Sequence, residues 1–264
     1  MIEQKIEELR ENGYTFDFMG FLREGFGLFK AYFFGFISFT ALAMLIFSFI
    51  AMTGALPLIY LAQIFVMPLL VGGIVIVCEK IRKGQEIPMY GDFFGVRRFA
   101  GRLISLSLVE MLITFVAGLP ALLYASSLAA TKLGPVTPEQ ITPELIEKMQ
   151  DILVSFSPQE YGIMLALALP VVYLTVAYML AQIFVVVDGK GVVESLKLSR
   201  RLVHRDWFSF LGLAIIFQAT IWISSATIPL LTLFFIPMAA CVSYAIYMRL
   251  LHEEEEKKEK VSGY

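Results

Sequence analysis

Six long apolar runs dominate this chain of 264 residues and constrain its fold more than any other feature. A helix needs about 20 predominantly apolar residues to cross a bilayer, and every run meets that length. We predict membrane spans at about residues 33–52, 56–77, 103–124, 158–187, 207–228 and 229–250. The fourth run is too long for a perpendicular crossing, so its helix must tilt or bend, and Pro170 is the expected bending point.

The composition agrees with a membrane protein. Hydrophobic residues make up 58% of the chain and charged residues 17%, whereas an ordinary soluble domain has roughly 45–50% and about 25%. The first twelve residues are charged throughout and lack the apolar core of a secretory signal. Cys78 and Cys241 lie in or beside apolar runs, so we interpret them as small buried hydrophobic residues.

Positive charge is distributed unequally between the two sides of the predicted spans. Of the 21 Lys and Arg residues, all except Lys132 and Lys148 fall on one side. An excess of Lys and Arg marks the cytoplasmic face of a membrane protein. We therefore predict a multi-pass protein of the bacterial cytoplasmic (inner) membrane with both termini in the cytoplasm, and we expect residues 253–264 to form a charged cytoplasmic tail.

A basic amphipathic segment precedes the fifth span. Leu196, Ser199 and Val203 share one face of a helix, and basic residues occupy another. Such a helix is expected to lie in the membrane interface, with its apolar side toward lipid tails and its basic side toward anionic headgroups. Similar stripes precede the first span (residues 18–29) and the third span (residues 89–103). The predicted headgroup contacts are Arg97, Arg98, Arg102, Lys197, Arg200, Arg201, Arg205 and Trp207.

These segments suggest a threefold internal repeat. Each copy contains a cytoplasmic amphipathic helix, an outward span and an inward span. The predicted fold class is therefore an all-α integral membrane protein, with six transmembrane helices and three cytoplasmic interfacial amphipathic helices in a pseudo-repeated order. We expect one membrane domain over residues 1–252.

The outside loop, about residues 126–157, carries two helix signals. Thr142 and Pro143 predict the start of a short amphipathic helix within it. Ser157 and Glu160 are spaced as a capping box that opens the fourth span.

The motifs of common enzyme classes are missing from the sequence. The chain has two histidines, no HExxH metalloprotease motif, no phosphate-binding P-loop and no GxGxxG motif after a strand. We expect no catalytic residues, metal or cofactor, and no binding of nucleic acid. Gly25 and Gly27 flank one phenylalanine, and we interpret this pair as a site of close helix packing.

Glu110 is the most unusual charged residue in the predicted spans. It lies eight residues after Arg102, roughly 12 Å along a helix, and therefore well inside the hydrocarbon region. An ionisable group there is costly and normally faces the bundle interior or a wet cavity. Gln218 and Thr175 lie at comparable depth and are candidate partners. Glu110 is either a functional site, which couples protons or cations or anchors a polar ligand, or a protonated or hydrogen-bonded carboxyl group that fixes helix packing.

The stretch "VVVDGKGVVESLKLSRRLVHRDWFSFLGL" resembles a broad family of uncharacterised bacterial six-span membrane proteins. The shared pattern is the Asp188-Gly189 turn, a helix with Ser195 and Ser199, and Trp207 at the start of the next span. This family includes the membrane domain fused to some glycerophosphodiester phosphodiesterases. The resemblance implies the membrane fold and no catalytic residue, because no phosphodiesterase domain is present here.

Three functional hypotheses remain. The first is a non-enzymatic membrane protein that organises lipid, chiefly anionic lipid, or assists a protein partner. The second is a small ion-coupled transporter or permease that uses Glu110. A membrane-embedded enzyme ranks below both, since no nucleophile–base pair or metal cluster can be identified. A protein partner or homo-oligomer is compatible with each of them.

Overall fold

The structure, a computed structural model, describes residues 2–84, 88–133, 156–227 and 229–252. Over these ranges the chain forms helices and no strand. The α-helices are α1 (Ile2–Asn12), α2 (Phe18–Ala31), α3 (Phe33–Ala51), α4 (Leu56–Lys83), α5 (Ala100–Leu133), α6 (Pro158–Ala177), α7 (Ala181–Val187), α8 (Val192–His204), α9 (Trp207–Thr227) and α10 (Thr232–Leu251). Two 3-10 helices cover Tyr90–Arg98 and Pro229–Leu231.

Six helical segments in the described ranges are long and apolar enough to cross a membrane. They are Phe33–Ala51, Pro57–Lys83, Ala100–Thr131, Pro158–Val187, Trp207–Ser224 and Thr232–Leu251. The predicted all-α, six-span fold class is therefore confirmed. Helices α4 and α5 continue past their apolar runs, to Lys83 and Leu133. Because α5 ends at Leu133, the first part of the predicted outside loop, which begins at about residue 126, is helical.

The capping box before the fourth span is also confirmed. The Ser157 N–H donates to the Glu160 carboxylate at 2.6 Å, and the Glu160 N–H donates to the Ser157 hydroxyl at 3.3 Å. The short helix expected at Thr142 and the charged tail at residues 253–264 lie outside the described residues.

The fourth span is interrupted near its end rather than at Pro170. Pro170 lies within α6, and the helix stops at Ala177, with three residues between it and the start of α7. The Ser199 hydroxyl of α8 donates to the Ala177 carbonyl at 2.7 Å and accepts from the Leu180 N–H at 3.3 Å. A side chain inserted into the backbone ladder is a known cause of helix interruption, and here it replaces the bonds that the helix loses.

The structure divides into two compact units, 1–109 with 176–264 and 110–175. In the first unit, α10 is the central helix and packs against α2, α3, α4 and α9. Gly25 of α2 meets α10 so closely that an added Cβ would lie 2.6 Å from the Val242 Cα, whereas Gly27 faces open space. The predicted close packing is thus confirmed for Gly25 and is wrong for Gly27.

Cys78 of α4 and Cys241 of α10 are fully buried in the first unit, as predicted. Their Sγ atoms lie 3.4 Å apart, a proximity that the sequence did not reveal. Both side chains belong to the contact between α4 and α10.

The second unit contains most of α5 and α6. A Cβ added to Gly118 would lie 3.3 Å from the Val171 Cγ2 atom, so these two helices approach closely at a small residue. Small residues are typical of contacts between membrane helices.

The order of elements follows the predicted repeat. An amphipathic segment and two spans occur as α2–α3–α4, as the 3-10 helix Tyr90–Arg98 with α5 and α6–α7, and as α8–α9–α10. The middle copy differs from the other two because its amphipathic segment is a 3-10 helix rather than an α-helix.

Candidate functional site

Several polar contacts hold the amphipathic segments together at one end of the first unit. The Arg82 guanidinium lies 2.5 Å from the Glu24 carboxylate, which joins α4 to α2. The Arg102 guanidinium donates to the Gly189 carbonyl at 2.6 Å, which joins α5 to the turn before α8. Lys80, two residues before Arg82 on α4, pairs with Asp92 of the 3-10 helix Tyr90–Arg98 at 2.9 Å, so one end of α4 contacts two of the three predicted interfacial segments.

The 3-10 helix Tyr90–Arg98 is anchored by one aromatic side chain. Phe93 is fully buried and stacks on Phe39 of α3, with ring centroids 4.2 Å apart and planes at 15°. Asp92 accepts from the Met89 N–H at 2.6 Å and pairs with Lys80 at 2.9 Å. Val96 is buried, but Met89 of the predicted apolar stripe is 69% exposed. Only part of the stripe therefore packs against the protein.

Helix α8 departs from the sequence expectation in what its apolar face contacts. This helix packs against α7, α1 and α9 of the same chain. Its buried residues are Ser195, Leu196, Leu198, Ser199, Leu202 and Val203. The expectation that this face lies against lipid tails is therefore wrong, because protein already covers it.

Helix α1 and the loop after it were missed as part of this region. Ile6 of α1 is 1% exposed. The Tyr14 hydroxyl donates to the Leu202 carbonyl at 2.9 Å, and burial raises the Tyr14 pKa well above its usual value, so the phenol remains a neutral donor.

Asp17 caps α2 through the Gly20 N–H at 2.9 Å and pairs with Arg249 at 2.9 Å. An aspartate just before a helix is a cap signal that sequence reasoning could have used.

A buried polar cluster fixes the turn between α7 and α8. The Tyr247 hydroxyl donates to the Asp188 carboxylate, and the His252 Nε2 atom lies 3.4 Å from the same hydroxyl. Burial raises the Asp188 pKa above its ordinary value, although the Tyr247 hydrogen bond opposes the shift. Over the described residues, no group of three His, Cys, Asp or Glu side chains could hold a metal ion.

The predicted headgroup-contacting cations remain on the surface. All seven are exposed, and six of them form no ion pair with any described carboxylate: Arg97, Arg98, Lys197, Arg200, Arg201 and Arg205. The seventh, Arg102, binds the Gly189 carbonyl. Trp207 is half-buried at the start of α9, beside the Phe208 ring.

Glu110 lies in the second unit and is half-buried. Its Oε1 atom is buried and has no hydrogen-bond partner among the described residues. The Thr114 hydroxyl donates to the Glu110 carbonyl oxygen at 2.7 Å. Thr175 is exposed and donates to Val171 of its own helix at 2.9 Å. Gln218 belongs to the first unit and is exposed, so its predicted partnership with Glu110 stays a prediction.

No family model, no curated protein and no solved structure matches this chain. The resemblance to bacterial six-span membrane proteins accordingly stays a prediction. The fold defines the class of the protein: the six long apolar helices found in the described part of the chain make this a multi-pass membrane protein.

Proposed function

We propose that the protein is a non-enzymatic membrane protein that binds and organises anionic lipids at its cation-rich end. The single observation that supports this function is the set of six exposed cations without a described ion-pair partner. Elsewhere in the same unit, Lys80, Arg82 and Arg249 each pair with a carboxylate. A cation left without an internal partner at a membrane surface is available to lipid phosphate.

The orientation belongs to the same proposal. The cation-rich end faces the cytoplasm of a bacterial cell, and both chain termini lie on that side of the cytoplasmic membrane. The inequality in Lys and Arg supports this orientation. A reporter fused after Tyr264 is expected to be active only in its cytoplasmic form, and activity of a periplasmic reporter at that position would overturn the orientation.

Lipid retention provides the test of function. The protein is purified in mild detergent, and its bound lipids are identified by native mass spectrometry. Phosphatidylglycerol is expected to be retained over phosphatidylcholine and to be released as salt rises. A variant with Lys197, Arg200, Arg201 and Arg205 changed to Gln should lose most of this preference. Equal retention of both lipids by the unchanged protein would refute the proposal.

Ion-coupled transport is a second candidate function, favoured by the buried Glu110 Oε1 atom without a described partner. An unsatisfied carboxyl group inside a span is a candidate proton carrier. Proton flux into vesicles containing the protein can be followed with a pH-sensitive dye. The flux should exceed that of empty vesicles and disappear in Glu110→Gln, and equal flux in both proteins would remove this candidate.

A further inference from the structure

An apolar groove lies between α3, α4 and the 3-10 helix Tyr90–Arg98. Its volume is about 540 Å³, which falls within the range of about 300–1,000 Å³ for small-molecule sites. Phe39, Ala43 and Ile46 line it from α3, and Phe65 and Leu69 line it from α4. All of these residues belong to the first unit.

The groove runs along the helices. Phe39 and Ile46 are seven residues apart on α3, so the lined part extends for roughly 10 Å at 1.5 Å per residue. Ala43 lies between them and is 8% exposed. Its small side chain leaves space that a larger residue would fill. An acyl chain in a bilayer lies in the same direction as these helices.

Among the described residues that line the groove, Arg97 is the single charged one. It lies on the 3-10 helix, at the cation-rich end of the bundle, and forms no ion pair with a described carboxylate. The nearby cations Lys80 and Arg82 are both paired, at 2.9 Å and 2.5 Å. The groove therefore combines an apolar wall with one available guanidinium at its end.

We propose that this groove is a binding site for one anionic glycerophospholipid, with an acyl chain between α3 and α4 and the headgroup phosphate on Arg97. The inference rests on the proposed function and adds to it one defined site for one class of lipid. An amphiphile with a negative head and an apolar tail complements both features of the groove. A guanidinium can bind two phosphate oxygens at once, which favours a phosphate over a neutral headgroup.

Photo-crosslinking tests the site directly. The full-length protein is incorporated in nanodiscs that contain phosphatidylglycerol with a photoreactive group in one acyl chain, and the labelled positions are mapped by mass spectrometry. The expected label lies on the groove residues of α3 and α4. Arg97→Gln should reduce this label about fivefold, from the contribution of one cation near the membrane surface.

Two pairs of variants separate the site from general lipid contact. Lys30→Gln removes an exposed cation of α2 that neither lines the groove nor belongs to the six cations without an ion-pair partner, and should leave the label unchanged. Ala43→Phe fills the groove while Arg97 is kept, and should reduce the label to background. Leu45→Phe adds the same ring at a position on α3 that is 68% exposed and outside the groove, and should have no effect.

The possible failures are distinguishable. If phosphatidylglycerol is retained preferentially but the label is insensitive to Arg97 and Ala43, the groove proposal is overturned and the proposed function stands. If retention shows no preference for anionic lipid, the proposed function fails and the groove proposal with it. A lipid label that is confined to other apolar faces and absent from the groove residues would overturn the lipid as the occupant of the groove. Arg97→Gln changes an exposed residue, so this test does not depend on Ala43→Phe folding.

Discussion

The 3-10 helix Tyr90–Arg98 and helix α8 differ in what they bury, although each precedes a span and carries exposed arginines. Helix α8 buries six residues against its own chain. The 3-10 helix buries only Phe93 and Val96 and leaves an apolar groove beside it. Similar patterns of apolar and basic residues thus produce one segment that belongs to the core and one that rests on it.

The difference has a local cause in the polar groups that each segment meets. Ser199 of α8 replaces backbone hydrogen bonds at the interruption between α6 and α7, so α8 must sit deep in the protein. The 3-10 helix is tied by the pair between Lys80 and Asp92, which is partly exposed. The deep segment is suited to holding the fold, and the shallow one to contact with lipid.

The largest effect on stability is expected from the most deeply buried ring of the 3-10 helix. Phe93→Ala removes a fully buried ring that stacks on Phe39, and should lower the free energy of unfolding by about 3–5 kcal/mol. The measurement is thermal or denaturant unfolding in detergent.

Phe94→Ala is the matched control for this change. Phe94 is the next residue and is 49% exposed, so its truncation should cost less than about 1 kcal/mol. Equal losses of unfolding free energy in Phe93→Ala and Phe94→Ala would show that the buried Phe93 ring does not hold the segment. The contrast drawn between the burial of this segment and that of α8 would then be wrong.

The spans could be predicted from the sequence because the bilayer imposes a strict requirement. Every backbone polar group in the hydrocarbon must be satisfied within the segment, so a long apolar run has to be helical. The capping box at Ser157 and Glu160 could be predicted for a similar reason, since both of its hydrogen bonds are local in sequence.

The burial of α8 could not be predicted because its apolar stripe is equally compatible with lipid and with protein. Leu196 and Val203 have the spacing of an interfacial helix, but they are buried against the chain. The cover comes partly from α1, which looks like a charged leader in the sequence. Its single buried residue, Ile6, is too small a signal for periodicity to detect.

The groove was also beyond sequence reasoning. Ala43 and Arg97 are 54 positions apart in the chain, and the groove that they line forms only when the 3-10 helix packs beside α3 and α4. The amphipathic pattern of residues 89–103 predicts that Arg97 contacts headgroups. The acyl-chain wall next to it depends on tertiary contacts that a single sequence does not reveal.

A second, smaller loss of stability is expected when the hydrogen bonds between Ser199 of α8 and the backbone at the interruption between α6 and α7 are removed. Ser199→Ala removes the hydroxyl that bonds the Ala177 carbonyl and the Leu180 N–H. A buried polar group left without its partner costs about 1–3 kcal/mol, and unfolding measurements should show a loss in that range.

Lys197→Ala on the exposed side of α8 is its control and should change stability by no more than about 0.5 kcal/mol. If Ser199→Ala were as mild as Lys197→Ala, α8 would be held by its apolar face alone. The contrast between the deep and the shallow segment would then rest on apolar packing rather than on backbone hydrogen bonds.

The smallest effect, a dependence on pH, should have opposite signs in the two regions. Burial raises the pKa of Asp188, beside α8, despite the hydrogen bond from Tyr247. Burial also tends to raise the pKa of Asp92, but the Lys80 ammonium and the Met89 N–H outweigh it and hold the pKa below 3.8. A raised carboxyl pKa makes the folded state bind its proton more tightly than the unfolded state, and a lowered pKa does the reverse.

The sign of each contribution follows from this difference. As pH falls from neutral through the raised Asp188 pKa toward 3.8, Asp188 should add stability. The contribution of Asp92 is present above 3.8 and should be lost as pH falls through its lowered value. Melting temperatures of the unchanged protein, Asp188→Asn and Asp92→Asn across this range provide the measurement. As pH falls, the melting temperature of the unchanged protein should rise relative to that of Asp188→Asn. It should fall relative to that of Asp92→Asn. Parallel curves for all three proteins would mean that the two regions respond to protons alike, in conflict with the difference in depth that separates them.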